Sequence, residues 1–289
     1  MKIIKTVKTL NKYLELEKAK GHTIGFTPTM GALHDGHLSL VRHSSFENDI
    51  SVVSVFVNPT QFNQKEDLVK YPRDLEGDAS LIKKECDYLF APSVNQVYPK
   101  GLDTSVDLDV DHLSFSMEGP NRPGHFDGVV QVVHRFLDII KPDAIYMGQK
   151  DFQQFSIVGY MIRTLDMPVQ LRVCPTLREK DGLAMSSRNL RLKKKDRKRA
   201  HIIYDTLNYA KDKLGKLKPG TIESRAMQNM NIPEFRPEYF EIVDGYTMKK
   251  VTEPDKHDVI VACTAVWAGK VRLIDNMILK GAAHLNMVE

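Results

Sequence analysis

The stretch TIGFTPTMGALHDGHLSLV, residues 23–41, and the apolar run ISVVSVFV, residues 50–57, together decide the fold. Residues 23–27 are short, β-branched and aromatic, which predicts a buried strand. The turn-rich PTMGALHDG follows, and then a helix from about Gly36 to Phe46 with Leu38 and Val41 facing inward. ISVVSVFV is almost continuously apolar, as a central parallel strand covered on both faces must be. Strand, helix and strand in succession imply a right-handed crossover. Upstream, Thr6 can cap a helix carrying Val7, Leu10 and Leu14 at helical spacing, with Gly21 as its stop. Downstream the alternation continues with a helix near Leu75 to Lys84, a strand at Tyr88 to Phe90 and a helix near Gly128 to Ile140. A strand at Ala144 to Tyr146, a helix from about Asp151 to Leu165 and a strand at Val169 to Val173 complete it. The expected fold is α/β, with a doubly wound parallel sheet. The basic segment Arg191 to Arg199 marks a change in composition, and a boundary is placed near residue 176. Residues 1–176 would form the sheet domain and residues 177–289 a smaller α+β domain. That second part carries helical patterns, a turn at Pro219-Gly220 and strand-like runs at Tyr239 to Val243, Val259 to Ala265 and Val271 to Leu273.

The length of 289 residues suits roughly two domains at about 150 residues each. A hydrophobic share of 42% with 27% charged residues excludes wholesale disorder and an integral membrane protein. The net charge of +4 is too small to mark a dedicated nucleic-acid binder. Three cysteines, Cys86, Cys174 and Cys263, lie far apart without CxxC spacing, so reduced thiols and a cytoplasmic location are expected. Polar residues interrupt the N-terminal stretch around Lys2, Lys5 and Lys8, and neither a secretory signal nor a spanning helix is expected.

In an open α/β sheet, ligands bind beyond the carboxyl ends of the strands. The first such end reads PTMGALHDGH, residues 28–37. Gly31 and Gly36 permit close backbone approach, and the N-terminus of the next helix offers unpaired N–H groups to an anion. His34 and His37, three apart, can donate to one polyphosphate, although a histidine pair can equally do no more than begin a helix. Neither Walker A nor GxGxxG is present, and no third ligand completes a zinc site.

HDGH resembles the HxGH signature of the nucleotidyltransferase superfamily, and its setting, FTPTMGALHDGHLSLV, is similar to the pantothenate synthetase (pantoate–β-alanine ligase) family. Four further segments match in order: FVNPTQF at 56–62, RPGHFDGV at 122–129, GQKDFQQ at 148–154 and DGLAMSSRN at 181–189. The resemblance weakens after about Asn189 and returns at RLIDNMIL, residues 272–279. It implies a Rossmann-like nucleotide- and pantoate-binding domain with a smaller lid. It also implies a two-step reaction, in which pantoate and ATP give pantoyl adenylate and diphosphate, and β-alanine then displaces AMP to give pantothenate.

Carried over residue by residue, the resemblance places Met30, Gly31, Ala32, Leu33, His34, Asp35, Gly36 and His37 at ATP, with His37 as the catalytic acid. The resemblance also places Gly148, Gln149, Lys150 and Asp151, which follow a second strand end, at ATP. Lys150 would offer a point charge to phosphate, and Asp151 would cap a helix and accept a ribose hydroxyl. Leu177 would touch adenine through its backbone. Met185, Ser186, Ser187 and Arg188 occupy the place of the KMSKS loop, where Arg188 can clamp two phosphate oxygens. Gln61 would bind pantoate and stand near β-alanine, and Gln154 would bind pantoate, with Asn58, Arg122 and His125 as weaker candidates. Gln149, Lys180 and Gln131 depart from the usual family pattern. Mg²⁺ is expected to accompany ATP, with protein ligands unassigned. Asp78 is a candidate carboxylate, although a surface helix position is the simpler reading. The partners expected are small molecules and a second copy in a homodimer, with no nucleic acid and no membrane. The alternatives are another HxGH adenylyltransferase that keeps AMP on its product, or an RNA-binding module using Arg191 to Arg199, a run that also suits a solvated helix start.

Overall fold

In the computed structural model, which describes residues 1–62, 65–102 and 104–281, the two decisive runs become β2 (Ile24–Thr29) and β3 (Ile50–Val55). They pair in parallel from Ile24 opposite Ile50 to Thr29 opposite Val55. Around them stand β1 (Lys2–Ile4), β4 (Tyr88–Phe90), β5 (Ala144–Gly148) and β6 (Gln170–Cys174), in the order β1-β4-β3-β2-β5-β6. Every pairing in this sheet is parallel. The chain moves outward from β2 through β3 to β4, then returns to the other side of β2 to lay down β5 and β6. The strand order therefore reverses between β2 and β5, which is where such sheets open a crevice.

Helices cover both faces, so β2 and β3 are buried almost throughout. On one side lie α1 (Val7–Lys18), capped by Thr6 accepting from the Thr9 N–H, and α4 (His125–Ile140) with α5 (Phe152–Thr164). Phe136 of α4 meets the rings of Phe26, Phe56 and Phe90 edge-on, with centroids 5.7, 5.7 and 6.2 Å away. Each such pair adds about 0.5–1.5 kcal/mol beyond the area it hides. On the other side α2 (Asp35–Glu47) and α3 (Leu75–Ile82) pack Leu38, Val41, Ala79 and Ile82 onto Val53 and Leu89.

The C-terminal part holds α6 (Ile202–Lys213), α7 (Pro219–Met230) and an antiparallel sheet β7 (Phe235–Asp244), β8 (Ile260–Ala268) and β9 (Val271–Lys280). Alternation along β8 divides its burial. Ile260, Ala262 and Val266 join the core with α6 and α7, whereas Val261, Cys263 and Ala265 join the core of the six-stranded sheet. Two sequence readings are corrected here. Pro219 and Gly220 open α7 rather than forming a turn, because a proline at the first helical position lacks only an N–H that would be unpaired anyway. The strands also run longer than their apolar runs, β7 starting at Phe235 and β9 reaching Lys280. Residues 282–289 of the proposed second domain lie outside the described residues. No helix among the described residues is long and apolar enough to cross a membrane.

Candidate active site at the strand-order reversal

The turn leaving β2 is built on two left-handed residues, Gly31 at φ +83° and Ala32 at φ +52°. A Cβ on Gly31 would lie 2.9 Å from both Asp78 Oδ2 and Val55 Cγ1, so both the dihedral and the space call for glycine. Asp78 is itself a finding. Sequence favoured a surface position, yet it is 3% exposed, and its carboxylate accepts the N–H groups of Leu33 at 2.6 Å and Ala32 at 3.1 Å. Burial holds its pKa above the usual carboxylate value, with the two N–H bonds acting against it. The carboxylate fixes the turn, and both oxygens already serve the backbone.

The turn delivers His34 to the N-cap of α2, where its Nδ1 accepts the Gly36 N–H at 3.1 Å, while His37 Nδ1 accepts the His34 N–H at 3.4 Å. The two histidines thus take the places that Ser and Glu hold in an ordinary capping box. Since each Nδ1 accepts, each neutral ring carries its proton on Nε2. The rings lie 4.1 Å apart. Burial, then Lys150, pushes the His34 pKa down to about 4; burial, then His34 and Lys150, pushes His37 down to about 3. Both are neutral Nε2–H donors at pH 7. Helix start and donor pair, alternatives in the sequence, are here the same two residues.

Beyond β3, Asn58 is 1% exposed and its amide is consumed internally. It donates to Gly128 O at 3.0 Å and to Gln61 Oε1 at 3.2 Å, and accepts from the Tyr98 hydroxyl at 3.0 Å. Asn58 therefore orients Gln61, whose Nε2 rests 3.1 Å from Met30 Sδ. The Pro59–Gln61 turn can approach α4 only because residue 128 is glycine, where a Cβ would stand 2.5 Å from Thr60 O and 2.7 Å from Gln61 Cα. His125 donates from Nδ1 to the Gln61 carbonyl at 2.8 Å, and burial, then Arg122, pushes its pKa down to about 4.

The turn leaving β5 is secured from the other sheet. Asn276 of β9 donates to the carbonyls of Gln149 and Lys150 at 2.9 and 2.8 Å. Lys150 Nζ lies 3.6 Å from Asp151 Oδ1. Asp151 stands at the N-cap of α5, but its side chain makes no capping bond, which corrects the helix-cap expectation. Ser186 caps the short helical turn Ser187–Arg191 by accepting the Arg188 N–H. Near the mouth, Arg272 of β9 pairs with Glu118 at 2.7 Å and with Glu238 at 2.6 Å, and the Tyr239 hydroxyl donates to Glu118 at 2.8 Å. Arg122 comes within 3.7 Å of the same Glu118.

These walls enclose a cavity of about 460 Å³ at the reversal point, within the range usual for small-molecule sites. Met30, His34, Gly36 and His37 line one side, and Gly148, Lys150, Asp151 and Gln154 the facing side. Gln61 closes the floor with Arg122 and His125, and Leu177 and Met185 to Arg188 form the rim. Gly31, Ala32, Leu33, Asp35 and Gln149 do not reach it; the first three shape the turn below it, and Gln149 turns its amide toward Asn276 at 3.3 Å. No group of three metal-ligating residues occurs among the described residues. Within the basic run 191–199, Arg197 pairs with Asp181, and Lys195 and Arg199 both pair with Glu234. The sequence reading missed Arg272, Asp275 and Asn276, whose only local signal was polarity inside the apolar run RLIDNMIL, and Glu118, which stands outside any motif in SMEGPN, residues 116–121. All three cysteines are buried and free, and burial raises each thiol pKa.

A parallel sheet that reverses above a histidine pair, a lysine and a Ser-Ser-Arg rim defines the class, a Rossmann-like nucleotide-using enzyme of the HxGH kind. Comparison with known proteins narrows it. A family model described as pantoate-beta-alanine ligase matches residues 2–278. The pantothenate synthetase of Azobacteroides pseudotrichonymphae is 46% identical over 281 residues, covering 96% of this chain and 99% of that protein. Among solved structures, pantothenate synthetase from Thermus thermophilus has a TM-score of 0.90 at 39% identity, covering 97% of this chain and 100% of that one. The Francisella tularensis ligase, solved with beta-gamma ATP and beta-alanine, has a TM-score of 0.79 at 33% identity, covering 96% and 98%. The chain belongs to the pantoate–β-alanine ligase family, and its reaction is the ATP-dependent joining of pantoate to β-alanine.

Proposed function

We propose that both steps of that reaction take place in the 460 Å³ cavity. A carboxylate oxygen is a poor leaving group, so pantoate must first be joined to one that departs readily. Its carboxylate oxygen attacks the α-phosphorus of ATP, the bond to the bridging oxygen breaks and diphosphate leaves. The β-alanine amine then attacks the acyl carbon, AMP departs and the ammonium proton is lost to solvent.

The observation that carries this reading is the convergence of three separate chain segments on one cavity, each bringing donors. His34 and His37 present Nε2–H groups, Lys150 an ammonium, and Ser186, Ser187 and Arg188 two hydroxyls and a guanidinium. Together they match the charge that develops on a departing diphosphate. His37 meets the nucleotide as a neutral donor, and the polyphosphate then raises its proton affinity. Gln61 and Gln154 offer amides to the hydroxy acid without adding charge. Mg²⁺ arriving with ATP would offset the charge of the polyphosphate, without a cluster of protein ligands among the described residues to hold it. Residues 177–289 act as the lid over residues 1–176, and the enzyme works in the cytoplasm as a homodimer, readings that rest on the family resemblance. The relative solved with beta-gamma ATP and beta-alanine supports the choice of ligands.

The direct test mixes the purified chain with MgATP and pantoate, follows diphosphate, and then adds β-alanine. Diphosphate before the amine, then AMP and an amide after it, is the expected sequence. A stable adenylylated product that β-alanine does not discharge rejects the reading.

A further inference from the structure

Two consecutive residues of β9 tie together loops that the chain presents far apart, and neither belongs to the histidine, lysine or serine motifs. Asn276 is 1% exposed and spends its whole carboxamide on the turn after β5. Its two N–H groups go to the carbonyls of Gln149 and Lys150, and its Oδ1 accepts from Gln149 Nε2 at 3.3 Å. Asp275, 3% exposed, holds the Arg178 guanidinium through two bonds of 2.6 and 3.1 Å. Arg178 donates onward to Gly182 O at 3.1 Å and to Asn276 O at 3.2 Å. The segment braced in this way runs directly into Met185 to Arg188, where the Met185 N–H meets the Leu177 carbonyl at 3.0 Å.

We infer that Asn276 is a positioning residue for the first chemical step, setting the backbone from which Lys150 reaches the nucleotide. The inference rests on the proposed phosphate-facing role of Lys150. The chemistry of the site restricts the residue type. An aspartate would turn lone pairs toward two carbonyl oxygens, and a leucine would leave both carbonyls without donors in a buried place. Displacing a charged group by an ångström costs about 100-fold in rate where geometry governs the step. The Asp275–Arg178 pair sets the Ser-Ser-Arg rim in the same frame, so Lys150 and Arg188 are placed relative to one strand rather than to each other.

The test is a double-mutant cycle on the full chain between Asn276→Asp and Lys150→Ala, read as single-turnover diphosphate release with saturating MgATP and pantoate, with thermal melts run alongside. Asn276→Asp is expected to slow release by about 10–100-fold when Lys150 is present and by less than about 3-fold when it is alanine. Equal slowing in both backgrounds means that Asn276 acts on the fold at large and overturns the inference, as does unaltered release in the single variant. If Lys150→Ala alone leaves release unaltered, the proposed role of Lys150 falls, and this inference with it. Should Asn276→Asp not fold, Asn276→Ser takes its place in the cycle under the same criteria. Gln149→Ala, which spares both carbonyl bonds, is expected to change release by less than about 3-fold; a loss as large as that of Asn276→Asp would place the effect in the amide pair and overturn the assignment.

Discussion

The two loops facing each other across the reversal point are held by opposite means. Residues 32 and 33 are fixed from within their own layer by Asp78, 46 and 45 residues away on the adjoining helix α3. Residues 149 and 150 are fixed from the other sheet by Asn276, 126 residues beyond Lys150. The first loop is complete once β2, β3 and α3 have packed, whereas the second needs the C-terminal sheet in place. One half of the proposed phosphate grip is thus preorganised locally, and the other half depends on the placement of β9.

The strongest challenge to this division takes one side chain from each loop. His37→Ala and Lys150→Ala should each slow diphosphate release by about 100–1,000-fold, near 3–4 kcal/mol of transition-state stabilisation, with little change in melting temperature. Normal single-turnover release in either variant would strike that loop from the grip. Next comes the floor between the loops, where Gly128→Ala sets a Cβ 2.5 Å from Thr60 O. The Pro59–Gln61 turn must then shift, and the Michaelis constant for pantoate should rise about 10-fold while that for ATP stays within about 2-fold, since overpacking costs about 1–3 kcal/mol. Equal rises in both constants would move Gln61 away from the acid.

Asp78→Asn isolates the locally held loop. One of its two N–H partners loses its acceptor, so stability should fall by about 1–3 kcal/mol in urea unfolding. The pH dependence has a definite sign. Burial raises the Asp78 pKa in the folded state, so the native protein binds that proton more tightly than the unfolded chain. The contribution of Asp78 to stability is therefore greatest at low pH and is lost as pH rises from about 3.8, the unfolded value, through the folded one. The deficit of Asp78→Asn relative to the native chain should shrink from pH 4 to pH 7, and a deficit that grows would contradict the burial argument.

The smallest effect concerns the histidines. With His34 and His37 depressed to about 4 and about 3 in the empty site, a bound polyphosphate raises both pKa values. Nucleotide binding should then take up less than about one proton near pH 6, seen by calorimetry in buffers of differing ionisation enthalpy. His34→Asn, which keeps a good cap residue, should take up less; equal uptake would exclude His34 as the source.

The sheet was legible because its signal is local. A strand covered on both faces needs apolar residues in one run, and ISVVSVFV supplies them; Tyr88–Phe90 coincides with β4 to the residue. Strand ends were less legible, because the missed parts of β7 and β9 run through Arg236, Glu238, Asp275 and Asn276, whose polar side chains break the pattern. His34, His37 and Lys150 could be singled out as candidates from short strings at strand ends, and Gln61 and Ser186 only through the family resemblance of their strings. Their supports could not. Asp78 acts on residues 45 and 46 positions away, Glu118 on an arginine 154 away, and Asn276 on carbonyls 126 and 127 away. Pairings at such separations leave no periodicity, and an aspartate at a helical surface spacing looks the same whether it meets water or backbone.

The distance between Lys150 and Asn276 also has a temporal meaning. At 5–20 residues per second, ribosomes need about 6–25 s to add the 126 residues between them. During that interval a nascent chain can assemble its parallel sheet and its histidine turn while the lysine turn still lacks its amide fastening. The lysine turn gains that fastening only once the β8–β9 hairpin has been made.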